Sequence, residues 1–294
     1  MRITQGMITE AFMRNLSYNL KRLNDKEDML SSGKRVRRPS DDPVSAILAM
    51  RLRNTLSGIE QYNKNVNDAL TWLKNTESAL ANTGDILQRI RELTVNAAND
   101  TLTPEDRQTI LDEVSQLKLQ LLQEANTSYN NRYLFGGYAT DRPPFYIDSI
   151  TGKITANTSA TGTLKYNLGM NNNMDVNVLG TDVFSDLFTT VESIESDLKL
   201  NDASALSGRL TDLDNAINIV LKYRSQIGAK SNRLDATKSR LESNEIDYTD
   251  LLSKTEDVDV AKTIMDLKMD ENVYRASLAV GARIIQPTLV DFLR

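Results

Sequence analysis

The chain has 294 residues, with 35 Lys and Arg side chains against 40 Asp and Glu side chains, so its formal net charge at neutral pH is −5. This acidic balance argues against nucleic acid as the main partner. There is no His and no Cys, which excludes imidazole and thiol catalysis, zinc sites built from those residues, and a disulfide framework.

The first predicted helix runs from Thr9 to Leu30 and ends at Gly33, a residue suited to the left-handed cap. A basic loop, Lys34 to Arg38, follows. It could contact phosphates. Because no aromatic residues interleave with it, pairing with Asp41 and Asp42, or with a neighbouring subunit, is the favoured interpretation.

A long helix is predicted from Pro43 to about Ala98, since Asp42 can cap it and Pro43 suits its first position. It carries an apolar residue at every seventh position: Leu52, Ile59, Val66, Leu73, Leu80 and Leu87. A straight helix would rotate such a column by about 20° per heptad, so the column predicts supercoiling around a partner helix.

A third helix is predicted to start at Thr103-Pro104 and to reach about Asn130. Beyond the Gly136-Gly137 turn and Pro143-Pro144, short runs of strand character alternate with Gly and Asn clusters. The runs are Phe145 to Ile147, Lys153 to Ala156, Thr163 to Leu168 and Met174 to Leu179. We interpret residues 141–181 as a small β insert with a thin core, peripheral to the helices.

Helix resumes near Asp182, and Asn201-Asp202 caps a second long helix. This helix repeats the seven-residue column with Leu206, Leu213, Val220, Ile227, Leu234, Leu241 and Tyr248. We predict that the two columns pack antiparallel. The second apolar column expected of a coiled coil is only partial here, which leaves a face for an outside partner. An ordinary intramolecular bundle without such a partner is the alternative.

The last helix is predicted to follow a capping box at Ser253 to Glu256. Glu256, Asp257 and Asp259 lack the spacing of a calcium loop and are interpreted as acids of its first turn. Neither this helix nor the first has a mate reserved for its apolar stripe. We expect both stripes to bind partners outside the rod, through Phe12, Leu16, Leu20, Leu23, Leu267, Tyr274, Leu278, Ile285 and Phe292.

These elements predict a mainly α fold: a long antiparallel helical bundle or coiled-coil rod with a small β-rich insert. The terminal helices, within 1–38 and 256–294, are set off from the rod by loops. The rod comprises 39–140 and 182–255, and the insert 141–181. Nothing singles out a catalytic carboxylate pair, so we expect no enzyme, catalytic residue, metal or cofactor. The start lacks the pattern of a signal peptide, and no apolar stretch approaches the length of a membrane span, so no membrane insertion is expected.

Several motifs resemble one family. The stretch Ser31 to Ala46, SSGKRVRRPSDDPVSA, is similar to the segment after the first helix of the flagellins and their relatives. Its RxPSDDPxxA form resembles the hook-filament junction proteins (hook-associated protein 3) more than the flagellins. The opening MRITQGM, the NRYLFGGY ending at Tyr138, and QPTLVDFLR at 286–294 are similar to that family too.

The resemblance implies a structural protein in a ring between the hook and the filament of the bacterial flagellum. It implies several partners: further copies of itself, hook-associated protein 1 on the hook side, flagellin on the filament side, and an export chaperone at the C-terminal helix. It also implies an extracellular place, reached through the flagellar type III channel without a cleaved signal. The terminal helices, 1–38 and 256–294, would then pair and line an inner tube, and the insert would face outward. Flagellin itself is the nearest alternative, and a cytoplasmic coiled-coil scaffold is the alternative from another class.

Overall fold

The computed structural model describes residues 5–99, 102–149 and 152–284, and these parts are mainly helical, as predicted. The helices are α1 Gln5–Ser32, α2 Pro43–Ala97, α3 Pro104–Ala125, α4 Gly180–Lys199, α5 Ala203–Glu256 and α6 Val260–Ile284. The strands are β1 Ser128–Tyr129, β2 Arg132–Tyr133, β3 Phe145–Ile147, β4 Ile154–Ala156, β5 Lys165–Asn167 and β6 Asn173–Asp175.

The chain divides into two compact units. One, here called the terminal unit, contains residues 1–58 and 244–294, and the other, the central unit, contains residues 59–243. Helices α2 and α5 contribute residues to both units.

The heptad columns lie in buried positions. In the central unit Val66, Leu73 and Leu80 of α2 have no exposed surface, and in α5 the same holds for Leu213 and Leu234. Every other member is buried except Tyr248, which is half-buried. Burial of this kind is what a supercoiled packing face requires.

Two ion pairs show that α2 and α5 run in opposite directions within the central unit. Arg91 Nε donates to Asp214 Oδ1 at 2.7 Å, and Arg224 Nη2 donates to Glu77 Oε1 at 2.8 Å. Since Arg91 follows Glu77 in α2 while Asp214 precedes Arg224 in α5, the helices run antiparallel. The direct packing of one column on the other remains a prediction.

Helix α3 begins as predicted but ends early. The Thr103 hydroxyl accepts from the Asp106 N–H, and the Asp106 carboxylate accepts from the Thr103 N–H, which forms a complete capping box. The predicted end near Asn130 is wrong, because α3 stops at Ala125. Asn130 and Asn131 have φ of +50° and +63° and form the two-residue turn between β1 and β2. Asn tolerates this left-handed region better than most residues, so the Asn-Asn pair favours a hairpin over helix.

The β insert has the predicted strands, arranged as two-stranded antiparallel sheets β3–β4 and β5–β6. Its thin core leans on helix α4 through aromatic side chains, and its peripheral placement remains a prediction. Phe145 is buried, with its ring centroid 5.2 Å from that of Phe188 and 5.9 Å from that of Phe184 in α4. Leu168 and Val176 have no exposed surface. The aromatic contacts were not predicted because they join residues about forty positions apart, which periodicity does not report.

In the terminal unit, the predicted capping box at Ser253 does not form. Helix α5 continues to Glu256, and the Ser253 hydroxyl donates instead to Asp257 Oδ2 at 2.6 Å. Helix α6 begins at Val260, where Asp259 Oδ1 accepts from the Lys262 N–H at 3.1 Å. The break falls later than predicted because residues 256–258 bond to the main chain after α1, a tertiary contact that local capping signals do not contain.

Candidate assembly surface on the terminal helices

Helices α1 and α6 form an antiparallel pair held by three polar contacts. Asn19 Nδ2 donates to Ser277 Oγ at 3.3 Å, Arg22 Nη2 to Asp270 Oδ1 at 2.7 Å, and Lys26 Nζ to Asp266 Oδ2 at 3.2 Å. The Asp270 side chain is only 5% exposed, so its charge depends on Arg22 for compensation. These contacts fix the register of the two helices.

Glycine permits the closest approach within this pair. A Cβ at position 281 would collide with the ring of Phe12, so the absence of a side chain at Gly281 lets that ring lie against α6. Any larger residue at position 281 would move the ring or the helix. The contact explains why Phe12 is half-buried rather than exposed.

The predicted interface residues divide into two groups. The first group is half-buried and comprises Phe12, Leu16, Leu23, Leu267 and Tyr274. Leu20 and Leu278 are 42% and 44% exposed. Ile285 and Phe292 lie outside the described residues. The α1–α6 pair therefore covers its predicted stripes only in part.

Sequence periodicity missed a larger set of exposed apolar side chains on both helices. On α1 these are Met7, Ile8, Met13 and Tyr18, and on α6 they are Met265, Met269, Val273 and Val280. Val260 and Ile264, which lie on the predicted stripe of the last helix, are exposed too. Exposed apolar patches of this extent mark interaction surfaces. The missed signal is that both helices have apolar residues beyond one stripe, which a solvated two-helix pair does not need.

A further apolar face lies at the start of α2. Val44, Ile47 and Leu48 are 75%, 53% and 42% exposed. Ala46 and Ala49 on the other side of this helix are buried. The first turns of α2 are therefore apolar on both sides, and the outward side is open to a partner.

The basic loop before α2 is held by the two aspartates that the sequence indicated. Asp41 Oδ2 accepts from the N–H groups of Arg38 and Arg37 at 2.9 and 3.2 Å, and these bonds lower the pKa of Asp41. Asp42 accepts from the Ser45 hydroxyl and N–H, which lowers the pKa of Asp42 and caps α2. Arg35 Nη1 lies 3.8 Å from Asp42 Oδ2. The predicted pairing of the basic loop with Asp41 and Asp42 is therefore confirmed.

Sequence reasoning placed three acids wrongly, because the first turn of α6 contains no acidic residue: Asp257 and Asp259 precede this helix, and the buried acid of the three is Glu256. It is the last residue of α5, not a first-turn acid of α6, and it is 2% exposed. Its two carboxylate oxygens accept from Lys34 Nζ and Arg53 Nη2. No local pattern could have revealed these bonds, because each partner lies more than 200 positions away.

The described ranges contain no grouping of acidic side chains suited to hold a metal ion. Nor does any helix within them have the length and apolar character needed to cross a membrane. What the geometry offers is a set of open apolar helix faces.

Comparison with known proteins agrees with the motif resemblance. The model of the bacterial flagellin N-terminal helical region matches residues 3–140, and that of the C-terminal helical region matches residues 210–293. A flagellin of Bacillus subtilis is 30% identical over 302 residues, which cover 97% of each chain. Flagellar hook-associated protein 3 of Escherichia coli is 28% identical, with 94% of this chain and 95% of that protein covered.

Among solved structures, hook-associated protein 3 of Legionella pneumophila is similar in fold, with a TM-score of 0.62 at 18% identity. The similarity covers 70% of this chain and 97% of that one. The two helical regions that define flagellins are thus matched at both ends of the sequence, and a flagellin aligns along almost its whole length. The chain belongs to the flagellin family.

Proposed function

We propose that this chain is a structural, non-enzymatic component of the bacterial flagellum that forms the junction between hook and filament. The observation that carries the structural role is the exposed apolar surface of the α1–α6 pair. In a chain of the flagellin family, this surface is suited to contacts between neighbouring subunits.

Fully burying one aliphatic side chain is worth about 1.5–3 kcal/mol. Met13, Met265 and Met269 each leave more than half of their surface exposed in the single chain. Covering such residues by a neighbour offsets the cost of ordering the helices, about 1–2 kcal/mol per residue for the backbone.

The arrangement also supports assembly into a ring. A head-to-tail contact requires two different patches on the same subunit. The terminal unit offers one patch on α1 and α6, and another at Val44, Ile47 and Leu48. We propose that copies of this chain meet in a ring, with hook-associated protein 1 on the hook side and flagellin on the filament side. An export chaperone would cover α6 before the chain leaves the cell through the flagellar channel.

Flagellin is the second candidate, and overall identity does not separate the two, since it is 30% to a flagellin and 28% to a junction protein. The size of the insert does not separate them either, because this chain and that flagellin align over 97% of each and so are similar in length. The junction assignment rests on the form of the segment from Arg37 to Ala46. The cytoplasmic scaffold is disfavoured by membership of the flagellin family.

Immunogold electron microscopy of flagella tests the proposal. Met170 lies in the β5–β6 turn and is 91% exposed, so an epitope inserted there should leave the fold intact. A junction protein predicts label confined to one band between hook and filament. Label along the whole filament would instead identify a filament subunit, and label retained inside cells with a working exporter would favour the scaffold. An untagged strain is the control.

A further inference from the structure

Glu256 holds a buried negative charge at an unfavourable place. It ends α5, and the partial negative charge of a helix C-terminus disfavours a carboxylate there. A carboxylate with 2% exposure also loses nearly all of its hydration. Two cations, Lys34 and Arg53, compensate it, one from the loop after α1 and one from α2.

The main chain around Glu256 is joined to the same loop. The Glu256 carbonyl oxygen accepts from the N–H groups of Arg35 at 2.7 Å and Val36 at 3.3 Å. The Val258 N–H donates to the Gly33 carbonyl at 3.0 Å. Lys34 and Asp257 form an antiparallel bridge between these bonds. The segment that leaves α1 and the segment that enters α6 are therefore paired as a short ladder.

The sequence folds this way because Gly33 turns the chain. Its φ of +69° ends α1 and directs Lys34 back towards the end of α5. Arg35 adds a bond from its guanidinium to the Thr255 carbonyl at 2.9 Å. Side-chain and main-chain contacts thus converge on the last turn of α5.

We propose that Glu256 is a positioning residue that fixes how α1 and α6 leave this ladder, and so presents their apolar faces for subunit contact. Its charge acts through Lys34 and Arg53, which hold the loop while the main-chain bonds set the register. The part that concerns subunit contact rests on the proposed function. The part that concerns the ladder does not.

The chain offers a matched control pair. Asp250 Oδ2 accepts from Lys254 Nζ at 2.6 Å on the last turns of α5, but these side chains are 60% and 70% exposed and lie four residues apart in one helix. Exposed pairs of this type contribute little to stability. Asp250→Asn therefore removes a carboxylate from the same helix without touching the ladder.

The experiment compares Glu256→Gln and Asp250→Asn in the full chain. Amide hydrogen exchange at Arg35, Val36 and Val258 should accelerate about 10–100-fold in Glu256→Gln, because a charged hydrogen-bonded anchor is lost. It should stay unchanged in Asp250→Asn. Exchange of the Leu73 and Leu80 amides in the central unit should not change in either variant. Unchanged exchange at the ladder amides in Glu256→Gln would overturn the proposal.

A second arm measures assembly. In a strain lacking the native chain, Glu256→Gln should restore fewer filaments than Asp250→Asn. Full restoration together with accelerated ladder exchange would overturn the positioning role in assembly. If Glu256→Gln does not fold, Lys34→Gln takes its place, since Arg53 then still compensates the carboxylate. Failure of the proposed function would show instead as unmodified chain located away from the junction, while the exchange arm would still report on the ladder.

Exchanging the charges separates positioning from simple loss of stability. Lys34→Glu combined with Glu256→Lys restores an opposite-charge pair across the ladder, and Arg53→Glu added to these gives the lysine a second carboxylate. In both the double and the triple variant, the Val258 amide should exchange more slowly than in Lys34→Glu alone, although faster than in the unmodified chain. No recovery would show that the charges do not hold the ladder.

Discussion

Arg224 and Glu77 are 147 positions apart, yet the Arg224 guanidinium donates twice to one Glu77 oxygen, from Nη2 at 2.8 Å and from Nε at 3.2 Å. This forked contact lies beside the buried heptad columns of α2 and α5. Together with the Arg91–Asp214 pair, it sets an antiparallel register of α2 and α5. In this register Leu73 lies level with Ile227 if the columns pack on each other. The ion pairs thus turn a periodic pattern into a register that experiments can test.

A cross-link tests this register. The native chain has no Cys, so Glu77→Cys combined with Arg224→Cys introduces the only two thiols. A short bifunctional maleimide should join them within one monomer. The control is Glu77→Cys with Asp214→Cys, whose second thiol lies ten residues before position 224 in α5, about 15 Å away along the helix. Equal yields for the two pairs would contradict the register.

The columns should be intolerant of charge. Leu73→Asp and Leu234→Asp each place a carboxylate at a position with no exposed surface, and each should lower the free energy of unfolding by about 3–5 kcal/mol. Leu221→Asp in α5 is the control, since Leu221 is 51% exposed and should change stability by about 0.5 kcal/mol or less. Melts followed by circular dichroism give the comparison. Buried-site variants that melt with the unmodified protein would contradict the predicted packing.

The sequence predicted the elements whose signals are local. Pro43 and Pro104 mark the first residues of α2 and α3, because their caps, Asp42 and Thr103, are adjacent in sequence. The four strand runs of the insert were also found. What depends on distant partners was missed, as with Glu256 and with the burial of Phe145. Capping rules describe a few neighbouring residues and contain no information on contacts across the fold.

Phe145 should matter to the helical core. Its ring packs edge-to-face on Phe184 and Phe188, and the Asn126 side chain bonds both its N–H and its carbonyl. Phe145→Ala should lower the free energy of unfolding by about 3–5 kcal/mol. Tyr146→Ala, on the neighbouring residue that is 48% exposed, is the control and should have little effect. Equal urea midpoints for the two variants would instead support the predicted peripheral insert.

Acid should weaken the cap of α2. Bonds from Ser45, first from its hydroxyl and then from its N–H, lower the pKa of Asp42 in the folded chain. A carboxyl with a depressed folded pKa contributes stability above its unfolded pKa, near 4, and loses it as pH falls through the folded value. Asp42→Asn keeps a capping oxygen but cannot titrate. Between about pH 5 and pH 2 the urea midpoint should therefore fall more steeply in the unmodified protein than in Asp42→Asn. Parallel profiles would contradict this.

The candidate surface was only partly foreseeable. The stripes through Leu16 and Tyr274 were visible at helical spacing, and both residues are half-buried in the α1–α6 pair. The exposure of Tyr18 and Met265 was not visible, because the pattern of one helix does not say which face its partner covers. The exposure of each side chain depends on the register of α1 against α6, which the Arg22–Asp270 bond helps to set.

Amide hydrogen exchange in the monomer and in the assembled hook-filament junction tests the central claim most directly. If the terminal helices become firm only when neighbours cover them, residues 1–30 and 258–294, apart from the hydrogen-bonded ladder amide of Val258, should exchange fast in the monomer and slowly in the junction. The α2 and α5 segments of the central unit, buried in the single chain, should be protected in both states. Strong protection of both ends in a verified monomer would contradict the account.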